Sequence, residues 1–154
     1  MTKKADAAFT PRHGKDWPTP GVAIFGPKVM IANQFAGSGG DLFPWLFKYR
    51  KAGVVIGKRT WGGLVAAWGF DLPDGGTVRS PDNAFYTLEG KWDVEGYGVD
   101  PNIEVEYDPY LWRQGKDAQL ERAIAEMQKA MKSYKYPKFQ HPPYPDRTKV
   151  DVRY

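Results

Sequence analysis

The hydrophobic positions change rhythm along the chain. From residue 22 to 56 they come in short continuous runs. These are Val22–Phe25, then Val29-Met30-Ile31-Ala32 within Lys28–Asn33, then Val54-Val55-Ile56, with Gly26-Pro27 dividing the first two. Unbroken runs of this length predict strands buried on both faces, as in a parallel sheet. Between the last two runs lies a glycine-rich turn, Gln34-Phe35-Ala36-Gly37-Ser38-Gly39-Gly40, after which Leu42, Phe43, Leu46 and Phe47 repeat at helical spacing. The spacing predicts a helix over 41–51, with Pro44 in its first turn, where a missing N–H costs little, and Gly53 as its stop. Strand, turn, helix and strand over residues 28–56 form a βαβ unit, which crosses over right-handedly into a parallel sheet.

From Trp61 to Val94 the pattern shifts to short strands and turns. Leu64–Phe70, Thr77–Arg79 and Ala84–Leu88 are strand candidates, with Pro73-Asp74-Gly75-Gly76 and Glu89-Gly90 between them. Further on, Leu120, Ala123, Ile124, Met127, Ala130 and Met131 make an apolar stripe that predicts an amphipathic helix over 118–133, N-capped by Asp117. The two ends lack such patterning. Residues 1–20 are polar and turn-rich and read as an arm; residues 134–154, with Pro137, Pro142, Pro143 and Pro145, read as a tail without a core of its own. The expected organisation is an α/β core domain over 21–133 between that arm and that tail.

Composition narrows the chemistry. The chain has 154 residues, 42% hydrophobic and 26% charged, as expected of one soluble globular domain. It has no cysteine, which excludes disulfides, thiolate catalysis and Cys-ligated metals. The net charge of +4 comes from 22 Lys and Arg against 18 Asp and Glu, and ten of the 22 are spread over the residues after Tyr110. A spread of that kind reads as a solvated surface, so no nucleic-acid partner is expected. No run reaches the roughly 20 apolar residues of a membrane span, and no apolar stretch follows the charged N-terminus, so no membrane partner and a cytoplasmic location are expected.

Three features could carry a reaction. Ser38, between glycines after a strand and at the start of a helix, has room for a substrate, free backbone N–H groups for an oxyanion, and a rigid support. On pattern alone it also fits a plain helix cap, and it departs from G-x-S-x-G because Ala36 holds the first glycine position. Glu95, in Val94-Glu95-Gly96-Tyr97-Gly98-Val99-Asp100-Pro101, could orient a base or be a surface acid. A serine nucleophile needs a base, and the only histidines, His13 and His141, lie in the arm and the tail. No zinc pattern is present, and no metal or cofactor is expected.

Four blocks in order resemble the C-terminal catalytic domain of tricorn-type peptidases and their bacterial homologues in the S41 group. They are Asp16-Trp17-Pro18-Thr19-Pro20, Ala32 to Asp41, Ile56-Gly57-Lys58-Arg59-Thr60-Trp61-Gly62-Gly63 and Glu95 to Pro101. The resemblance runs from about Gly14 to Lys132. It implies a ClpP/crotonase-like fold, with Ser38 as nucleophile, the Gly39 N–H in the oxyanion hole, and Glu95 as the acid closing a Ser-His-Ser-Glu tetrad. It implies a peptidase or esterase-like serine hydrolase acting on a peptide or small ester, and a homo-oligomer. Two parts of that pattern are missing: the upstream domain carrying the histidine and its neighbouring serine, and the second oxyanion donor. Gln34 also stands where the group often has Glu. The base would then be His13 or His141, of the same or a neighbouring subunit, with His13 the leading candidate. The alternative is a non-catalytic truncated core that binds peptides or assembles.

Overall fold

A computed structural model describes residues 4–136, 138–144, 146 and 148. In chain order the elements are β1 (Ala7–Phe9), β2 (Trp17–Thr19), β3 (Val29–Ala32), α1 (Gly39–Tyr49), β4 (Val54–Gly57), β5 (Val65–Asp71), β6 (Thr77–Ala84), β7 (Ile103–Glu104), α2 (Pro109–Arg113) and α3 (Ala118–Ser133). The βαβ unit forms as its pattern dictates. β3 and β4 pair in parallel with Ile31 beside Ile56, and β7 joins β4 on its other side, giving the order β3-β4-β7. Helices α1 and α3 both pack on β3 and β4. The core sits there: Ala32, Phe47, Ala52 and Val55 form one buried cluster, backed by Met30.

β4 is the most buried strand, with Ile56 at 0% exposure. β3 differs from the expected two-sided burial: it is the sheet's edge among the described strands, and Ile31 is 43% exposed. Val22–Phe25 forms no strand: its backbone takes part in no described ladder, and Val22 is fully exposed. Ala84–Leu88 reduces to one bridge, Tyr86 with Trp92, across the turn at Glu89-Gly90. Three elements left no legible pattern: β7, which is only two residues long, the five-residue α2, and the β1–β2 ribbon inside the arm.

Helix α1 also begins two residues earlier than its apolar spacing predicts. Its N-cap is Ser38, whose carbonyl accepts from the N–H groups of Asp41 and Leu42. Pro44 therefore lies inside the helix, as its sixth residue, rather than in the first turn. The helix is ended by Lys51, in the left-handed region with φ 49°. The Lys51 N–H bonds the Lys48 carbonyl and the Ala52 N–H bonds the Phe47 carbonyl, a Schellman closure that usually uses glycine. Gly53 serves the sheet instead. A Cβ there would stand 1.9 Å from the Lys28 carbonyl oxygen, so its absence lets β3 and β4 approach.

A charged link ties the ends of the sheet. Lys58, just after β4, lies 2.6 Å from Glu104 and 2.7 Å from Glu106. The hydrogen bonds that Lys58 donates, to Glu104 first and then to Glu106, hold it above its ordinary pKa, and the latter bond holds Glu106 below the ordinary glutamate value. The lowered carboxyl contributes stability above its ordinary range and loses it as pH falls through the depressed value; the raised ammonium contributes below the ordinary lysine range and loses it at more alkaline pH. Wild type should therefore exceed Lys58→Met in urea midpoint at neutral pH, and the gap should close on acidification below the carboxylate range.

Candidate active site

The site is built where β3 runs into α1. Ser38 is exposed and has φ 54° and ψ −111°, outside the regions open to ordinary L-residues. Its side chain makes no capping hydrogen bond, so the hydroxyl is not tied to the helix it starts. Gly39 is the first helical residue. Its N–H points out of the first turn with no intrahelical acceptor, and no described hydrogen bond occupies it. A Cβ at Gly39 would meet nothing within 4 Å. A strained serine, an unpaired N–H and open space coincide at a helix N-terminus, whose partial positive charge favours a developing anion.

Three residues on, Asp41 is fully buried, and its two carboxylate oxygens accept from the N–H groups of Gly62 (2.8 Å) and Gly63 (3.0 Å). The Trp61 N–H bonds the Ala36 carbonyl at 2.9 Å. The Trp61 indole lies so close over Gly37 and Gly63 that a Cβ on either would stand about 2.5 Å from the ring. The same loop is laced to the Glu95 loop. The Gly96 N–H donates to the Gly62 carbonyl, the Thr60 N–H to the Val99 carbonyl, and the Val99 N–H to the Thr60 hydroxyl. Where the loops cross, Gly62 and Gly98 are both required: their Cβ atoms would come within 2.6 Å of Gly98 N and 2.1 Å of Thr60 O.

Glu95 is exposed on this laced loop, next to Val94, a buried β-branched residue in the left-handed region at φ 71°. Val94 is held there by its carbonyl, which accepts from the N–H groups of Tyr97 and Gly98, and by its own N–H on Asp93 Oδ1. Ser38 and Glu95 thus sit on two loops joined through residues 60–63. The histidines lie elsewhere. His13 is exposed in the connection between β1 and β2, and His141 bonds the Thr10 hydroxyl at 3.0 Å and packs at a tilt against the Tyr144 ring. Among the described residues no hydrogen bond joins Ser38 to Glu95, His13 or His141. No group of three or more acidic or histidine side chains there could hold a metal ion, and no described helix is long and apolar enough to cross a membrane. The site's internal struts, Asp41, Trp61 and Val94, were not marked by the pattern. Asp41 and Trp61 adjoin paired glycines, whose backbone N–H groups are open to being gripped, whereas Val94 carried no such signal.

Residues 2–105 match Peptidase family S41, and the chain belongs to that family. Among its relatives, the tricorn protease of Thermoplasma volcanium is 41% identical over 81% of this chain and 12% of its own length. Tricorn protease homolog 1 of Streptomyces coelicolor is 42% identical over 75% of this chain and 11% of its own length. The chain thus spans about an eighth of these relatives. A crystal structure of the tricorn protease superposes with a TM-score of 0.77 at 37% identity, over 84% of this chain and 13% of that one. Mature CPAF complexed with lactacystin shares the fold, with a TM-score of 0.58 over 67% of this chain and 20% of its own.

Substitutions at two positions test how the turn is held. Asp41→Ala leaves the N–H groups of Gly62 and Gly63 without their charged acceptor and should lower unfolding stability by about 3 kcal/mol in urea titrations. At Ser38 the strain runs the other way: Ser38→Gly should be about 1 kcal/mol more stable than Ser38→Ala, because glycine occupies positive φ freely.

Proposed function

We propose that this chain carries the nucleophile half of a serine peptidase centre on a ClpP/crotonase-like core. The observation that carries the reading is the conformation of Ser38. A non-glycine residue at φ 54° and ψ −111° costs on the order of 1–3 kcal/mol and persists only where its surroundings enforce it. Here the enforcement comes from Asp41 and the 60–63 loop, and the Ser38 hydroxyl makes no capping hydrogen bond to its own helix. In a substrate complex the Ser38 oxygen would attack the scissile carbonyl carbon and form the C–O bond. The carbonyl electron pair would move to oxygen and settle against the Gly39 N–H, while the hydroxyl proton passes to an imidazole. Collapse would break the C–N or ester bond, with that proton returned to the leaving group. Glu95 would orient the imidazole through the bridging residue of a tetrad.

The imidazole has to be brought to Ser38. His13 is the candidate within the chain, reaching the site from the same or a neighbouring copy; a histidine on a partner domain is the other source. The substrate class follows from the chemistry: a peptide, or a small ester that needs less activation. A cytoplasmic homo-oligomer, with residues 21–133 as the working domain, completes this reading. One observation favours a second reading, a non-catalytic module that binds peptides or assembles. That observation is the absence of a described hydrogen bond between Ser38 and either histidine.

Intact-mass measurement after fluorophosphonate treatment separates the two readings. An activated serine predicts one adduct on wild type and none on Ser38→Ala, and a base role for His13 predicts strong loss of labelling in His13→Gln. Folded wild type that takes no label would leave the non-catalytic module standing. Labelling that survives His13→Gln would move the base to His141 or to a partner.

A further inference from the structure

Ser38 has a glycine on either side, yet the two sides differ. At Gly39 there is open space: a Cβ there would meet nothing within 4 Å. On the Gly37 side stands the six-membered ring of the Trp61 indole, with Cε3 2.5 Å and Cζ3 3.3 Å from where a Gly37 Cβ would lie. The same ring closes on Gly63, whose Cβ would stand 2.4 Å from Cζ3 and 3.0 Å from Cη2. A side chain at either position would push the indole off the turn. Both glycines thus admit this ring.

Trp61 is held but not covered. Its backbone N–H bonds the Ala36 carbonyl, and the N–H groups of its neighbours Gly62 and Gly63 bond the buried Asp41 carboxylate. The residue is nevertheless 70% exposed. The indoles of Trp45 and Trp68 donate to Asp93 and Asp82, whereas no described hydrogen bond engages the Trp61 ring nitrogen. An aromatic ring already pinned in place offers a ligand a large apolar area and loses little further freedom when covered. This ring stands beside the proposed nucleophile.

We infer that the exposed indole of Trp61 is a platform for an apolar side chain of the substrate, aromatic ones above all, next to the bond that Ser38 attacks. The inference rests on the peptidase reading given above and assigns it a substrate preference. The scissile carbonyl goes to the open Gly39 side of the serine, and the apolar group to the Gly37 side.

Binding is read first, without catalysis, in the Ser38→Ala protein. Saturation-transfer NMR titrations compare N-acetylphenylalaninamide with N-acetylalaninamide. The phenyl compound should bind at least about tenfold more tightly, and Trp61→Leu should remove that difference. Trp61→Phe keeps a six-membered ring against the glycines and should show an intermediate preference; it decides the matter if Trp61→Leu does not fold. Trp68→Leu, at a tryptophan of similar exposure on the β5–β6 ribbon, should change nothing. Labelling of the Ser38 protein is then compared with benzyl and methyl diphenylphosphonates, which form an Oγ–P bond and release phenol. Substitution of Trp61 should slow the benzyl reagent selectively, whereas a ring that only props the turn would slow both alike. Equal affinities for the two amides, a preference undiminished in the Trp61 variants, or equal slowing of both reagents would overturn the platform. Folded protein that takes neither phosphonate nor fluorophosphonate fails the peptidase reading instead, and the amide comparison alone then decides the platform.

Discussion

The buried carboxylate of Asp41 is the interaction on which the rest of the site depends. It sits in the first turn of α1, where the helix dipole favours a negative charge, and it commits both oxygens to consecutive backbone N–H groups of a different loop. That arrangement fixes the 60–63 loop against the start of the helix. The loop in turn fixes the Ala36–Ser38 turn through Trp61 and the Glu95 loop through Gly62 and Thr60. Three segments far apart in sequence are thereby referred to one side chain. Strain at Ser38 and at Val94 persists because this lattice leaves neither residue a relaxed alternative.

The sequence was legible where a single physical demand shaped a run of residues. Val54-Val55-Ile56 is unbroken because β4 is the most buried strand, and a helix forms over Ala118–Ser133 as its spacing predicts, although Leu120, Ile124 and Met131 of the stripe stay exposed and the residues it buries are Gln119 and Ala123. Asp117 could be read as a cap since its carboxylate has one local role, accepting from Gln119 and Leu120. The turn around Ser38 was legible for a related reason: glycines flank a residue that needs space. Illegible were the features decided by distant partners. β3 looks like an interior strand but forms an edge, Lys51 closes a helix in place of a glycine, and two residues at Ile103 complete a sheet whose register β4 sets. Val22–Phe25 misled in the opposite direction, since an apolar run becomes a strand only when a neighbour offers backbone partners.

The partition of the proposed site residues has the same character. Ser38, the Gly39 N–H and Glu95 lie on loops that the chain ties together by itself. The histidines lie on the N-terminal ribbon and the tail, which the lacing around Asp41 does not reach. On the proposed reading, this chain, which spans about an eighth of its relatives, would supply groups held in place before any base arrives.

The crossing of the 60–63 and 94–99 loops also bears on how the family can vary. Pairing Ile31 with Ile56 closes 25 residues of chain, and pairing Ile56 with Ile103 closes 47. Since loop entropy grows only with the logarithm of length, the longer excursion adds only about 0.6 kcal/mol. Residues 64–93 enter and leave that excursion at the laced crossing, so their length is decoupled from the sheet and from the serine turn. Insertions, deletions or wholesale replacement can accumulate there at small thermodynamic cost, which makes the segment the natural place for homologues to diverge while the reacting geometry stays fixed.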